Sequence, residues 1–272
     1  MSLRPFNNYD LEGFPPVLAW NPIAMRCSRV DEGCRNCWHM RAADRLMMNP
    51  VLPMRTREAY NGCEAPLAPV YGMNTDFIFP KKPSIIAVQF MGDVWYERIP
   101  DDDRYQVIRA CRNAPQHIFL LLTKRPERVT EELPENCWLG TSVHDQDSAN
   151  IRVKRLLEAK CKHRWLSFEP MLGPVDYDMI LKCTQCVPYN CEFHGSSELL
   201  KNAPCNQKIE WVACGPETGA GARPCKSEWI ADVAQHCKYK GIPFYDKRDP
   251  SAPGFTVQQW PQEWKLKIGI ST

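Results

Sequence analysis

Cys27, Cys34 and Cys37 set three thiols in C-x6-C-x2-C spacing, between Trp20-Asn21-Pro22 and a run of helix-forming residues. Three thiolates fall one short of a closed tetrahedral zinc site, whereas three on a four-iron cluster leave one iron open to a ligand from outside the protein. Cys63 or His39 would complete a zinc set, so these residues by themselves hold both readings open. A second group follows much later, Cys183-x2-Cys186-x4-Cys191-x2-His194-x10-Cys205. Its five donors suffice for tetrahedral zinc with one to spare, and a second iron–sulfur cluster is the alternative. The polar segment around it is too poor in apolar residues to fold easily without a metal staple, and the bland reading is a disordered insertion with unused thiols.

The composition sets limits on the rest. With 272 residues and 44% hydrophobic content the chain can bury a substantial core. Lys plus Arg number 34 against 32 acidic residues, so a net charge of +2 gives no global attraction to nucleic acid or membrane, and any such contact must be local. No apolar run approaches the roughly 20 residues of a membrane span and the start lacks a signal-peptide core, so a soluble, cytoplasmic protein with no membrane partner is expected. In that reducing compartment 14 cysteines are better read as metal ligands or small buried hydrophobes than as disulfides, with Cys111, Cys161 and Cys237 in the buried class.

The elements that must position the thiols are legible as an alternation. Residues 1–16 read as a Pro-containing wrapping arm, and Val17-Leu-Ala-Trp20 as a first strand that places the three-Cys loop between a strand and the helix Trp38 to Met48. Residues 50–83 look irregular. Short apolar runs of strand length then recur at Ser84–Phe90, His117–Leu122, Cys137–Thr141, Arg164–Phe168, Glu210–Cys214 and Ile242–Tyr245. Helical patterns over Asp101–Cys111, Asp147–Ala159 and Ser227–Tyr239 separate them. Strands alternating with helices imply an α/β fold, a partial or full parallel (βα) barrel over 17–182 and 208–260, with 183–207 as a Cys/His insertion and 261–272 as a tail.

Active sites of such folds lie at the carboxyl ends of the strands. Those ends read Asn21, Gly92-Asp93, Thr123-Lys124-Arg125, Ser142 with His144, Glu169, Gly215 with Glu217, and Asp246-Lys247. Any one of them suits a helix cap or a surface charge; the recurrence marks a pocket. The glycines of 215–221 suit a loop whose backbone approaches a ligand, with Glu217 and Arg223 gripping its charges, and Lys124-Arg125 suit a carboxylate or phosphate. A cluster with one open iron at this edge is the arrangement of radical S-adenosylmethionine (SAM) enzymes.

Six ordered segments carry a resemblance. They are Trp20-Asn-Pro22, Gly33-Cys-Arg-Asn-Cys37, Leu122-Thr-Lys-Arg-Pro-Glu-Arg128, Trp138-Leu-Gly-Thr-Ser-Val143, Leu166-Ser-Phe-Glu-Pro-Met-Leu-Gly-Pro174 and Gly215-Pro-Glu-Thr-Gly-Ala-Gly-Ala-Arg-Pro224. From about residue 20 to about 247 the chain resembles a phage-associated family long catalogued as of unknown function and regarded as radical-SAM-like. The resemblance implies that Cys27, Cys34 and Cys37 bind a 4Fe-4S cluster and that SAM chelates its open iron. It implies a pocket lined by Asp93, Lys124, Glu169, Glu217, Arg223 and Lys247. Within the set of strand-end residues, Glu169, Glu217 and Lys247 are expected to be catalytic, and Asp93, Lys124, Ser142, Gly215 and Arg223 to hold cofactor. The chain departs from the family pattern at Trp38-His39, His144 and Pro216, which bears on the substrate.

The expected activity is one-electron cleavage of SAM to a 5′-deoxyadenosyl radical that abstracts hydrogen from a substrate. The family's phage setting points to isomerisation of an amino-acid-modified thymidine, as a nucleotide or in phage DNA, in the host cytoplasm, with an electron donor such as flavodoxin or ferredoxin. Trp20, Trp38, Trp95 and Trp138 are candidates to stack on a flipped base, although core packing is the commoner role. The rival is a zinc-stapled nucleic-acid- or protein-binding module without catalysis.

Overall fold

The computed structural model describes residues 3–6, 9–69, 79–177 and 208–269. Seven strands lie parallel in chain order: β2 (Leu18–Trp20), β5 (Ile85–Val88), β6 (Ile118–Thr123), β7 (Cys137–Ser142), β8 (His163–Phe168), β9 (Trp211–Cys214) and β10 (Phe244–Asp246). β1 (Arg4–Pro5) pairs antiparallel with β2 and edges the sheet opposite β10. Strand order that never reverses is the winding of a barrel, and since β1 and β10 do not pair with each other the sheet stays open as a curled half-barrel. A two-stranded ribbon of β3 (Ile23–Ala24) and β4 (Ala68–Pro69) stands beside it.

Continuous apolar runs become strands here because both faces of the sheet are covered. On the outer face Ile86, Val88, Phe119, Leu121, Leu139, Leu166 and Val212 share a core with Val107 and Ile108 of α3 (Asp101–Arg112), Val153 and Leu156 of α4 (Gln146–Glu158), and Ile230 and Val233 of α5 (Ser227–Lys240). On the inner face Ala87, Leu120, Trp138, Trp165, Trp211 and Tyr245 pack around Tyr9 and Trp264. The helices begin and end where local chemistry allows. α3 opens on three Asp residues, which suit the positive end of its dipole. α4 starts in a capping box between Asp145 and Ser148, and α5 stops at Gly241, whose φ of 68° lies in the left-handed region.

Within the stretch expected as an arm, Tyr9 is 1% exposed inside the half-barrel, and its carbonyl accepts a hydrogen bond from Trp260 Nε1 at 2.8 Å. The stretch expected to be irregular also contains α2 (Met54–Glu58), and the expected tail contains α6 (Gln262–Lys267), whose Trp264 is fully buried. Cys111 and Cys237 are buried as expected, and Cys161 is partly so. Trp20, Trp95 and Trp138 are core residues at 2% exposure or less, so they do not serve as stacking platforms. The expected metal group Cys183, Cys186, Cys191, His194 and Cys205 lies outside the described residues.

Candidate functional site

At the carboxyl end of the half-barrel a cavity of about 830 Å³ opens between the strand ends and the loop that carries Cys27, Cys34 and Cys37. All three cysteines line it, and none is in a disulfide. The loop follows β3 and ends at α1 (Trp38–Met47), with Cys37 at the helix N-cap position. Backbone N–H groups of His39 and Met40 in the first turn of α1 face the Cys37 sulfur. Burial, with a further push from Asp93 and an opposing pull from Arg125, drives the Cys27 thiol up to about 12, and burial raises Cys37 as well. A metal held by these thiols would need them as thiolates, and its uptake would release protons.

Three braces hold the loop, and residues expected to grip a cofactor supply them. Lys124 Nζ donates to Asp31 Oδ1 at 2.9 Å, and Arg152 of α4 pairs with the other oxygen of the same carboxylate. Burial opposes ionisation of Asp31, yet Lys124 and Arg152 hold its carboxyl far below the usual range. Gly33 permits this approach, since a Cβ there would stand 2.7 Å from Lys124 Nζ. In the second brace Arg223 Nη2 donates to Glu217 Oε1 at 2.6 Å and to Glu32 O at 2.9 Å, while Asn36 Nδ2 donates to Glu217 Oε2 at 2.8 Å. In the third, Arg125 Nη2 donates to Ser28 Oγ at 2.8 Å, and Arg125 is held by Asp93, which accepts from Arg125 Nη1 at 3.3 Å, Thr123 Oγ1 at 2.9 Å, Lys124 N at 3.0 Å and Trp95 N at 2.9 Å. The polar side chains of Asp93, Lys124, Glu217 and Arg223 thus bond to other parts of the protein, and Asp93, Lys124 and Glu217 also line the cavity, whereas Arg223 is not among its lining residues.

The floor of the cavity is different. Glu169, after β8, and Lys247, after β10, form an ion pair, and Lys247 Nζ stands 5.0 Å from the centre of the Tyr9 ring. Gly215 makes room for this: a Cβ there would lie 2.9 Å from Lys247 Cβ. The Tyr9 hydroxyl lies against Ser167 and Glu169, and burial, then the Glu169 charge, raises its pKa well above the ordinary value. Even so, Ser167 Oγ and Glu169 Oε1 are buried with no partner in hydrogen-bond geometry. Unpaired buried polar atoms are costly, and both residues belong to the cavity lining. Ser142 also lines it, its carbonyl taken by Arg152 Nη1 at 2.8 Å. Trp38, 42% exposed, is the tryptophan that reaches the cavity among the four expected to stack.

A family model described as a protein of unknown function (DUF5131) matches residues 17–251, most of the chain. The chain belongs to the DUF5131 family. Neither a curated protein nor a solved structure matches it. The DUF5131 match spans the three-Cys loop and every parallel strand but leaves out Phe6 and Tyr9, which line the cavity.

The two candidates for a fourth zinc ligand are turned to the Cys27 backbone: Cys63 Sγ donates to Cys27 O at 3.3 Å, and His39 Nε2 faces Cys27 N at 3.5 Å. Burial, then Arg26, lowers His39 to about 4. Among the described residues no three His, Cys, Asp or Glu side chains, the three cysteines included, are grouped closely enough to hold a metal ion. Asp31, Asn36, Arg125, Arg152 and Tyr9 are the site residues that sequence reasoning did not mark as such or, for Arg125, placed in another role. Their partners are distant in the chain, and no local pattern announces them.

Proposed function

We propose that this chain is a radical SAM enzyme whose Cys27, Cys34 and Cys37 hold a 4Fe-4S cluster. The observation that carries this reading is the cavity of about 830 Å³ at the strand ends, lined by three cysteines outside any disulfide together with Ser167, Glu169 and Lys247. A bound cluster supplies the electron that breaks a carbon–sulfur bond of SAM and yields a 5′-deoxyadenosyl radical. The chain does the rest: Glu169, Ser167 and Lys247 bind and orient polar groups in the cavity, and the aromatic side chains of Phe6, Tyr9 and Phe90 exclude water from one wall. The three braces keep the cysteine loop in register with the strand ends.

The reading extends to the substrate as isomerisation of an amino-acid-modified thymidine. Trp38 and Phe90 offer stacking surface for a base, and a net charge of +2 suits a nucleotide or short single strand better than a duplex. Protein purified without oxygen is expected to be brown, with iron and sulfide near four per chain as a 4Fe-4S cluster requires, about four of each. Dithionite and SAM should then release 5′-deoxyadenosine, and Cys34→Ser should lose both cluster and product. Colourless protein containing only zinc would sink the enzyme. A nucleoside product that differs from its substrate in mass would overturn the isomerase.

A further inference from the structure

Of the three cysteines, Cys27 has a charged side chain at its sulfur. Arg125, in the turn after β6, is 5% exposed, and its Nη1 lies 3.9 Å from Cys27 Sγ and 3.3 Å from Asp93 Oδ2. Nη2 donates to Ser28 Oγ at 2.8 Å, Nε pairs with Glu97, and the guanidinium stands 5.2 Å from the centre of the Tyr96 ring. Asp93 and Glu97 already supply two carboxylates to one cation, so charge neutralisation does not by itself require the approach to sulfur. The planar fork nevertheless sets Nη1 between Asp93 and Cys27, and the neighbouring residue Ser28 anchors the other arm. Cys37 has a different environment, since backbone N–H groups of α1 face its sulfur.

We infer that Arg125 is a positioning residue that sets the reduction potential of the cluster through Cys27. The inference rests on the cluster proposed above. Adding an electron to an iron–sulfur cluster increases negative charge on its sulfurs, and a charge-assisted N–H bond to a ligand sulfur stabilises that reduced form. Arg125 therefore raises the potential, and Glu97 moderates it by holding part of the guanidinium charge away from Cys27. Asp93 fixes the direction of Nη1 and is itself locked by Thr123, Trp95 and the Lys124 amide. This assigns the basic residue of the strand-end turn to the sulfur rather than to a carboxylate or phosphate.

The test is a redox titration of the reconstituted full chain, followed by the electron paramagnetic resonance signal of the reduced cluster, at matched iron and sulfide content. Arg125→Met should move the midpoint to more negative potential, and Arg125→Lys should restore part of the shift. Glu97→Gln should move it the other way; its side chain is half exposed, so the variant disturbs folding least. If Arg125→Met fails to hold iron, Glu97→Gln decides. An intact cluster whose potential is unmoved or lowered in Glu97→Gln overturns the inference and leaves the enzyme standing. A wild-type chain that takes up no cluster overturns both.

Discussion

Glu217 shows how residue types can be read correctly and their partners missed. A carboxylate and an arginine on one loop suggested a grip on a charged ligand, and in the fold they grip each other. Asn36, 181 positions away from Glu217, and Glu32, 191 away from Arg223, complete the arrangement. Arg223, then Asn36, holds the Glu217 carboxyl down at about 2. A depressed carboxylate contributes stability that is fully present above the unfolded value of about 4.3 and lost as pH falls through the folded one. The latch between the 217–223 loop and the cysteine loop should therefore open between about pH 4 and pH 2. Hydrogen exchange of residues 217–223 followed by mass spectrometry should show protection falling in that window. In Glu217→Gln protection should be low throughout and flat with pH; a wild-type step retained in the variant would refute the assignment.

At the scale of elements, the strands were the most legible feature, because burial on both faces leaves a nearly unbroken apolar run at β5 and β6. α2 was not legible: five residues in a proline-rich stretch carry too little periodicity to announce a helix. Nor did the pattern reveal how the strands pack. Gly140 in β7 reads as one small residue in Cys137-Trp-Leu-Gly-Thr-Ser142, but a Cβ there would meet Trp165 Cε2 at 2.3 Å. Trp165 is fixed in turn by a bond from its Nε1 to Trp138 O at 3.1 Å. Gly140→Ala should consequently cost about 1–3 kcal/mol in denaturant unfolding, the range for overpacking a dense core. Gly62→Ala, where a Cβ meets nothing within 4 Å, is the control and should stay close to wild type. Equal midpoints for the two would mean that β7 and β8 are not packed this tightly.

The whole molecule depends on its two ends. Tyr9 and Trp264 fill the inner face of the half-barrel, where Trp264 lies 4.6 Å from Trp211 and 5.1 Å from Trp138 between ring centroids. Neither end is covered by the family match, and neither shows a repeat or motif. Trp264→Ala should lower stability by about 3–5 kcal/mol, measured by chemical denaturation, and a loss below about 1 kcal/mol would show that α6 only decorates the sheet. The amino-acid sequence alone determined the alternation of strands and helices, the order of the polar strand ends and the place of the three cysteines between a strand and a helix. These follow from local periodicity and spacing, which each stretch carries within itself. Tertiary structure decided which polar groups are used up and which stay open. Asp93, Lys124, Glu217 and Arg223 found partners across the fold, while Ser167 and Glu169, which line the cavity, each keep a buried oxygen without one. That division depends on where the curled sheet brings distant loops together, and no single stretch of sequence contains it.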